Sequence, residues 1–466
     1  MLKRIMGKRW IMLAGLLTGI AGGLQAQVIS AEQAYAANAP GVVLVQSVFS
    51  ATVYVNKVEM DDRRFNRLVD SVRKLDTSGS MFTAEEKLDM VVKALYQNPF
   101  RFFSRTSQYL GQQHRIVSSG TGFFVTGDGF IVTNAHIIDR DSSFIRRKFI
   151  LSTYEEVTNA NIRSLEASWE IRFTDEQRAL LNNAYSVIYS QVSSMILNDL
   201  RREIFVQARV DRTGHEIENR RLPARIILKG KPMPGKDVAI LKVDGVSEMP
   251  VLALASDSIA RIGERVWVYG FPEPVSSNLY LSRETGAEPT LTEGIVGAVK
   301  RSVGGWPVIQ MDAAITHGSS GSPVCNNRGL VVGLATFGSI EQTSASLSEA
   351  YNFAIPVTIV KQFLDSARIR AAVSASSSSF NRAIGYFHDE YYGKAMQQFV
   401  AVQKLNPDFP GVAYYIAQSE RNINAGLDRD TMLQKVVFRI IAVLIVLGGA
   451  VVFYRFQIAS RLPKRK

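Results

Sequence analysis

An all-β core broken by helical insertions is the fold class this sequence predicts, and three observations carry that prediction. Between Gly120 and Val360, short apolar and β-branched runs recur with glycine between them: GTGFFVTGDGFIVTN, ARIILKG, DVAILKV, RVWVYGFP, TEGIVGAV and GLVVGLATFG. Short strands at that spacing belong to a sandwich or a barrel. Two stretches with helical periodicity interrupt the pattern, and the chain carries an apolar segment near each end. At 466 residues the chain also exceeds a single ordinary core, which rarely grows beyond about 250–300 residues.

In chain order, Met1 to Ala26 reads as a secretory signal peptide. Lys3, Arg4, Lys8 and Arg9 precede an apolar run from Trp10 to Leu24, with a break expected after Ala26. An uncleaved signal anchor is the alternative, because Leu24 is larger than the small residue usual three positions before a cut. Val42 to Val55 is β-branched and apolar and reads as the opening strand of a domain spanning 27–370. The first interruption, about 56–113, holds a helix that begins at Thr83, with Glu86 completing a capping box ahead of Leu88, Val91, Val92 and Leu95. The second, about 139–223, holds a helix capped by Thr174 and Gln177. Its stripe of Leu181, Tyr185, Ile188, Val192 and Met195 is expected to pack on the barrel or on a second subunit.

Serine-rich Ala371–Ser379 reads as a flexible linker. Residues 380–428 read as helical, and Tyr386, Ala395, Phe399 and Pro407 match part of a tetratricopeptide repeat. One repeat cannot bury its own face, so a plain helical hairpin stands equally open. Val436 to Tyr454 is almost entirely aliphatic and just long enough to span a bilayer. Arg439 sits near its start, where a long side chain reaches the interface. The tail 455–466 carries Arg455, Arg461, Lys464, Arg465 and Lys466. The positive-inside rule then places the tail in the cytoplasm and everything before Lys435 in the periplasm, as a single-pass inner-membrane protein.

The net charge of +12 comes largely from those two basic ends, and no nucleic-acid motif lies between them. The single cysteine, Cys325, excludes an intramolecular disulfide framework. With 46% hydrophobic and 21% charged residues, the chain is a folded protein with membrane segments.

Three segments of the strand-rich region supply a base, a carboxylate and a nucleophile: TNAHII holds His136, GKDVAILKV holds Asp237 and THGSSGSPV holds Ser320. A serine hydroxyl is a weak nucleophile until an imidazole takes its proton, and a buried carboxylate must fix the imidazole tautomer. Glycines around Ser320 allow the N–H groups of Gly318 and Ser320 to converge on one point. Taken singly, a core histidine, a surface aspartate and a turn serine are the commoner readings.

The ordered blocks GTGFFVTGDGFIVTNAHII, DVAILK, GERVWVYGFP, TEGIVGAV, DAAITHGSSGSPV and FAIP resemble the HtrA/Deg peptidases of the trypsin superfamily. The resemblance covers most of Gly120 to Val360 outside one insertion. It implies a trypsin-like double β-barrel, a serine endopeptidase activity on protein substrates, and no metal or organic cofactor. It makes His136 the general base, Asp237 its orienter and Ser320 the nucleophile. Gly318 and Ser320, with Ser319 as a further contributor, would line the oxyanion hole. Ala314 and Ile315, then Leu334, Ala335 and Thr336, would line the substrate pocket.

The nucleophile turn departs from the family's N-P-G-N-S-G-G-P at His317 and Ser322, which opens the question of an activating trigger. The PDZ domains of the family have no counterpart. His114, His215 and His388 show no ligand spacing. The lipid bilayer is the expected partner of the C-terminal helix, a protein partner is open for the helices of 380–428, and a homo-oligomer is open. The reading from a different class is a catalytically silent or partner-activated scaffold.

Overall fold

A computed structural model describes residues 29–75, 82–139, 142–192, 196–211, 217–256, 260–273, 288–340 and 347–460. The expected signal peptide and residues 461–466 of the basic tail therefore lie outside the described residues. Among the described residues twelve strands close into two six-stranded antiparallel barrels, as the resemblance implies.

A short helix, α1 (Ala31–Asn38), leads into β1 (Val42–Met60). Helices α2 (Asp62–Arg73) and α3 (Ala84–Gln97) precede β2 (Phe103–Phe124), β3 (Phe130–Thr133) and the one-turn α4 (Ala135–Ile138). Then come α5 (Ser142–Trp169), α6 (Asp175–Val192), β4 (Ile196–Asp211), β5 (Ile217–Lys229) and β6 (Ala239–Lys242). The first barrel runs β1-β2-β3-β6-β5-β4. The second is built from β7 (Arg265–Gly270), β8 (Thr290–Arg301), β9 (Pro307–Met311), β10 (Pro323–Asn326), β11 (Val331–Ile340) and β12 (Leu347–Pro356), in the order β10-β11-β12-β9-β8-β7.

The insertions differ from the sequence reading in extent. Strands β1 and β2 remain paired as far as Met60 and Phe103, so the first insertion proper is α2 and α3. The second is α5 and α6, because β4 and the start of β5 are barrel strands. Both capping boxes form: Thr83 with Glu86, and Thr174 with Gln177. The stripe of α6 packs on the far end of the barrel's β1–β2 ladder, in a cluster with Val55 and Val58. Leu181, Tyr185 and Ile188 are buried with Val91, Leu95 and Phe103 in a helical lobe on the end of the β1–β2 ladder. Phe103 and Tyr185 bring their rings to 4.8 Å. The side chains of Val192 and Met195 fall outside the described residues.

After α7 (Val357–Ser366), the serine-rich run is not a linker. Helix α8 (Ala375–His388) begins within it, and Ser374 caps that helix by accepting from the Ser377 N–H. Ser374 Oγ donates to Met249 C=O, Ser376 N–H donates to Glu248 Oε2, and Ser377 Oγ accepts from Val251 N–H. Serine composition signals flexibility only when the hydroxyls face water. Here they are buried and satisfy backbone groups of a first-barrel loop.

Helix α8, α9 (Tyr392–Leu405) and α10 (Val412–Asn424) surround Phe380, with Ala395, Phe399 and Phe409 buried beside it and Ala36 of α1 packed on the cluster. The hairpin thus buries its apolar face against α10 and α1 rather than against a second repeat. Helix α11 (Arg429–Ser460) follows, its start held by Arg429 N–H to Glu390 C=O and by Thr431 Oγ to Asp428. It is long and apolar enough to cross a membrane, and its apolar residues from Val436 to Tyr454 are exposed. Its 32 residues rise about 48 Å at ~1.5 Å each, against a hydrocarbon core of about 30 Å.

Candidate active site

Strand register brings the first two members together. In the β3–β6 pair, Ile131 faces Leu241 and Thr133 faces Ala239, so two further steps place residue 135 opposite 237. The α4 turn that follows then presents His136. Asp237 is fully buried, a costly place for a carboxylate without donors. It has three. Oδ1 accepts from the His136 backbone N–H at 2.8 Å, and Oδ2 lies 2.6 Å from His136 Nδ1 and accepts from Thr336 Oγ1 at 2.9 Å. Asn134, also buried, donates from Nδ2 to the Asp237 carbonyl at 2.7 Å. With Asp237 ionised, Nδ1 carries the hydrogen and Nε2 is left as the base.

Ser320 comes from the second barrel, in the turn before β10. Gly321 N–H donates to Ala335 C=O at 2.8 Å and Ala335 N–H to Ser322 C=O at 2.9 Å, which lays Thr336 beside the serine. Ser320 Oγ donates to Thr336 C=O at 3.0 Å. Thr336 thus holds the orienting carboxylate with its hydroxyl and the serine hydroxyl with its carbonyl. No hydrogen bond joins Ser320 Oγ to the His136 ring among the described residues, and the hydroxyl is turned to Thr336 C=O instead. Resting enzymes commonly show such loose catalytic contacts.

The turn Thr316–Ser322 is shaped by peptide planarity, since fixing one carbonyl turns the N–H of the same trans peptide the opposite way. His317 C=O accepts from Glu273 N–H at 2.6 Å, and Ser319 C=O from Ser322 N–H at 3.1 Å. Those contacts set the directions of the Gly318 and Ser320 N–H groups, and neither N–H has an internal acceptor among the described residues. Ser319 differs from its sequence assignment: its N–H is taken by Thr316 C=O at 3.0 Å. Gly318 has φ +90°, and a Cβ there would run into Phe271 C=O, so the position requires glycine. His317 contributes only its carbonyl, and its side chain is exposed.

The five pocket residues do not form a single lining. Leu334 is buried with Trp267 and Cys325, while Ile315 and Ala335 lie in the second-barrel core. Thr336 turns its hydroxyl to Asp237, and only Ala314 is exposed. Alternation along β11 explains the split, because Leu334 and Ala335 must point to opposite faces. Burial pushes the Cys325 thiol far above its usual range, so it offers no thiolate nucleophile. His114 is buried, with Nε2 at 2.6 Å from Thr153 Oγ1 on α5, far along the ladder from this cluster. His215 lies outside the described residues, and His388 ends α8.

Sequence reasoning missed Asn134 and the double role of Thr336. Only Asn134, two residues before the TNAH histidine, was within reach of a local signal.

Comparison with known proteins adds to this geometry. Residues 120–334 match the trypsin-like peptidase domain family, a span that contains His136, Asp237 and Ser320. The chain is 25% identical over 322 residues to serine protease HTR4 of Bos taurus, covering 67% of this chain and 46% of that one. It is 26% identical over 252 residues to a probable periplasmic serine endoprotease, DegP-like, of Rhizobium meliloti, covering 53% of this chain and 33% of that one. Among solved structures, an HtrA-type protease AlgW with decapeptide is 20% identical, covering 73% of this chain and 68% of that one at a TM-score of 0.36. The chain spans less than half the length of the two curated relatives.

Proposed function

We propose that this chain, which carries a trypsin-like peptidase domain of the HtrA/Deg type, is a membrane-anchored periplasmic serine endopeptidase. The observation that carries the reading is the convergence of His136, a three-fold hydrogen-bonded Asp237 and Ser320 across the two barrels. In the reaction Ser320 Oγ bonds to the scissile carbonyl carbon while its proton passes to His136 Nε2. The carbonyl oxygen gains negative charge and is met by the Gly318 and Ser320 N–H groups. Collapse breaks the C–N bond, and the leaving amine takes the proton from His136. Water then repeats the sequence on the acyl-enzyme, which restores Ser320.

The substrates of this reading are misfolded or membrane-proximal envelope proteins. Of the five residues that the resemblance assigned to the pocket only Ala314 is exposed, and it carries no charge to meet a cationic side chain. Cleavage is expected after Val, Ala or Ile. A peptide-library profile led by Arg or Lys would refute that preference.

For location, the support is the apolar α11 and the basic residues beyond it. In spheroplasts, a tag after Lys466 is expected to survive added protease while the barrels are digested. Digestion of the tag would overturn the orientation. Because the serine cluster holds the helices to the barrel and Glu390 holds the start of α11 to those helices, such an anchor would keep the cleft near the bilayer, which favours bound substrates by effective concentration.

A partner-activated peptidase is the second reading, favoured by the Ser320–Thr336 bond in place of a Ser320–His136 bond. Reaction of isolated protein with a fluorophosphonate separates the two, because an enzyme that requires a partner reacts only when the partner is added.

A further inference from the structure

Thr121, on β2 of the first barrel, belongs to none of the groups discussed for the chemistry, yet it touches the nucleophile turn of the second barrel at two points. Its backbone N–H donates to Ser320 C=O at 2.7 Å. Its hydroxyl donates to Gly318 C=O at 2.9 Å and accepts from Phe271 N–H at 3.1 Å. The residue is fully buried, and its own carbonyl accepts from Thr133 Oγ1 at 2.7 Å, next to the TNAH segment that carries His136.

We propose that Thr121 is a positioning residue for the oxyanion hole, its hydroxyl holding the Gly318–Ser319 peptide from the opposite barrel. The reasoning follows from the geometry of the turn. Gly318 N–H and Ser320 N–H belong to the peptides on either side of it, oriented through the His317 and Ser319 carbonyls, so a displacement of the middle peptide shifts the spacing of both donors. The Gly318 carbonyl is the handle, and its partner is the Thr121 hydroxyl. That hydroxyl is itself fixed, because Phe271 N–H occupies one of its lone pairs. A glycine at φ +90° has no side chain to resist rotation, and the turn itself holds this peptide by Ser319 N–H to Thr316 C=O, so the carbonyl end takes its restraint from outside. Thr121 supplies it, and through its backbone and Thr133 it ties the donors to the barrel that carries the base.

The inference rests on the serine-peptidase reading, and the test keeps the two apart. The full-length chain is purified in detergent as wild type, Thr121→Val and Thr121→Ser, and kcat and KM are measured on fluorescent casein alongside thermal unfolding. Loss of one correctly placed oxyanion donor typically lowers turnover by about 10²–10³-fold. Thr121→Val is expected to lower kcat on that scale with KM unchanged, and Thr121→Ser, which keeps the hydroxyl, to restore it to within a few-fold. If the valine protein does not fold, Thr121→Ala, also without the hydroxyl, carries the same expectation. A Thr121→Val protein with wild-type kcat overturns the inference. So does a loss confined to KM, or one that serine does not restore. A wild-type protein that neither cleaves casein nor reacts with a fluorophosphonate would instead remove the reading of a peptidase active without a partner, on which this inference rests.

Discussion

Ser320→Ala is expected to lower the turnover of casein by roughly 10⁶-fold, the scale of loss when a serine protease is deprived of its nucleophile. The fold is expected to persist. Among the described residues the only side-chain hydrogen bond removed is Oγ to Thr336 C=O, while the Ser320 carbonyl still accepts from Thr121 N–H and the turn keeps its Ser322 and Ala335 contacts. One neutral hydrogen bond at a half-buried site contributes about 1 kcal/mol, too little to unfold a two-barrel domain. Thermal unfolding alongside the casein assay checks both halves of the expectation. A Ser320→Ala protein that cleaves at the wild-type rate contradicts the triad.

Asp237→Asn is the second large effect, about 10⁴-fold in kcat. The carboxylate accepts from His136 N–H, from His136 Nδ1–H and from Thr336 Oγ1. An amide offers one acceptor oxygen and a two-hydrogen donor in the same space. If its NH₂ faces Nδ1, the ring hydrogen is forced onto Nε2 and the base can no longer take the serine proton. If it faces the backbone N–H instead, two donors meet in a fully buried site, at a cost of about 1–3 kcal/mol. Either way turnover falls, and in the second case thermal stability falls with it. Activity within ten-fold of wild type would show that Asp237 does not orient His136.

The chemistry was legible in this sequence because its parts sit in short local segments, and each of TNAHII, KDVAIL and GSSGSP places its residue on a strand end or a turn. The capping boxes at Thr83 and Thr174 were legible for the same reason, as contacts three residues apart. What escaped depends on distant partners. Strand β4 opens with a largely exposed stretch that mixes Ile196, Leu197 and Leu200 with polar residues, and only its pairing with β1 identifies it as barrel. The buried serines at 374–377 read as linker until the first-barrel loop at 248–251 is placed against them. The contacts of Thr121 span 150 and 197 residues, so no window along the chain holds both ends.

The most direct test of the account is to react the isolated protein with a fluorophosphonate and locate the adduct by mass spectrometry. The reagent bonds to a serine oxygen only where a base has activated it and the oxyanion hole receives the phosphoryl oxygen. The account predicts one adduct, on Ser320, lost in both Ser320→Ala and His136→Ala. An adduct on any other residue, or an unchanged adduct after His136→Ala, would contradict it.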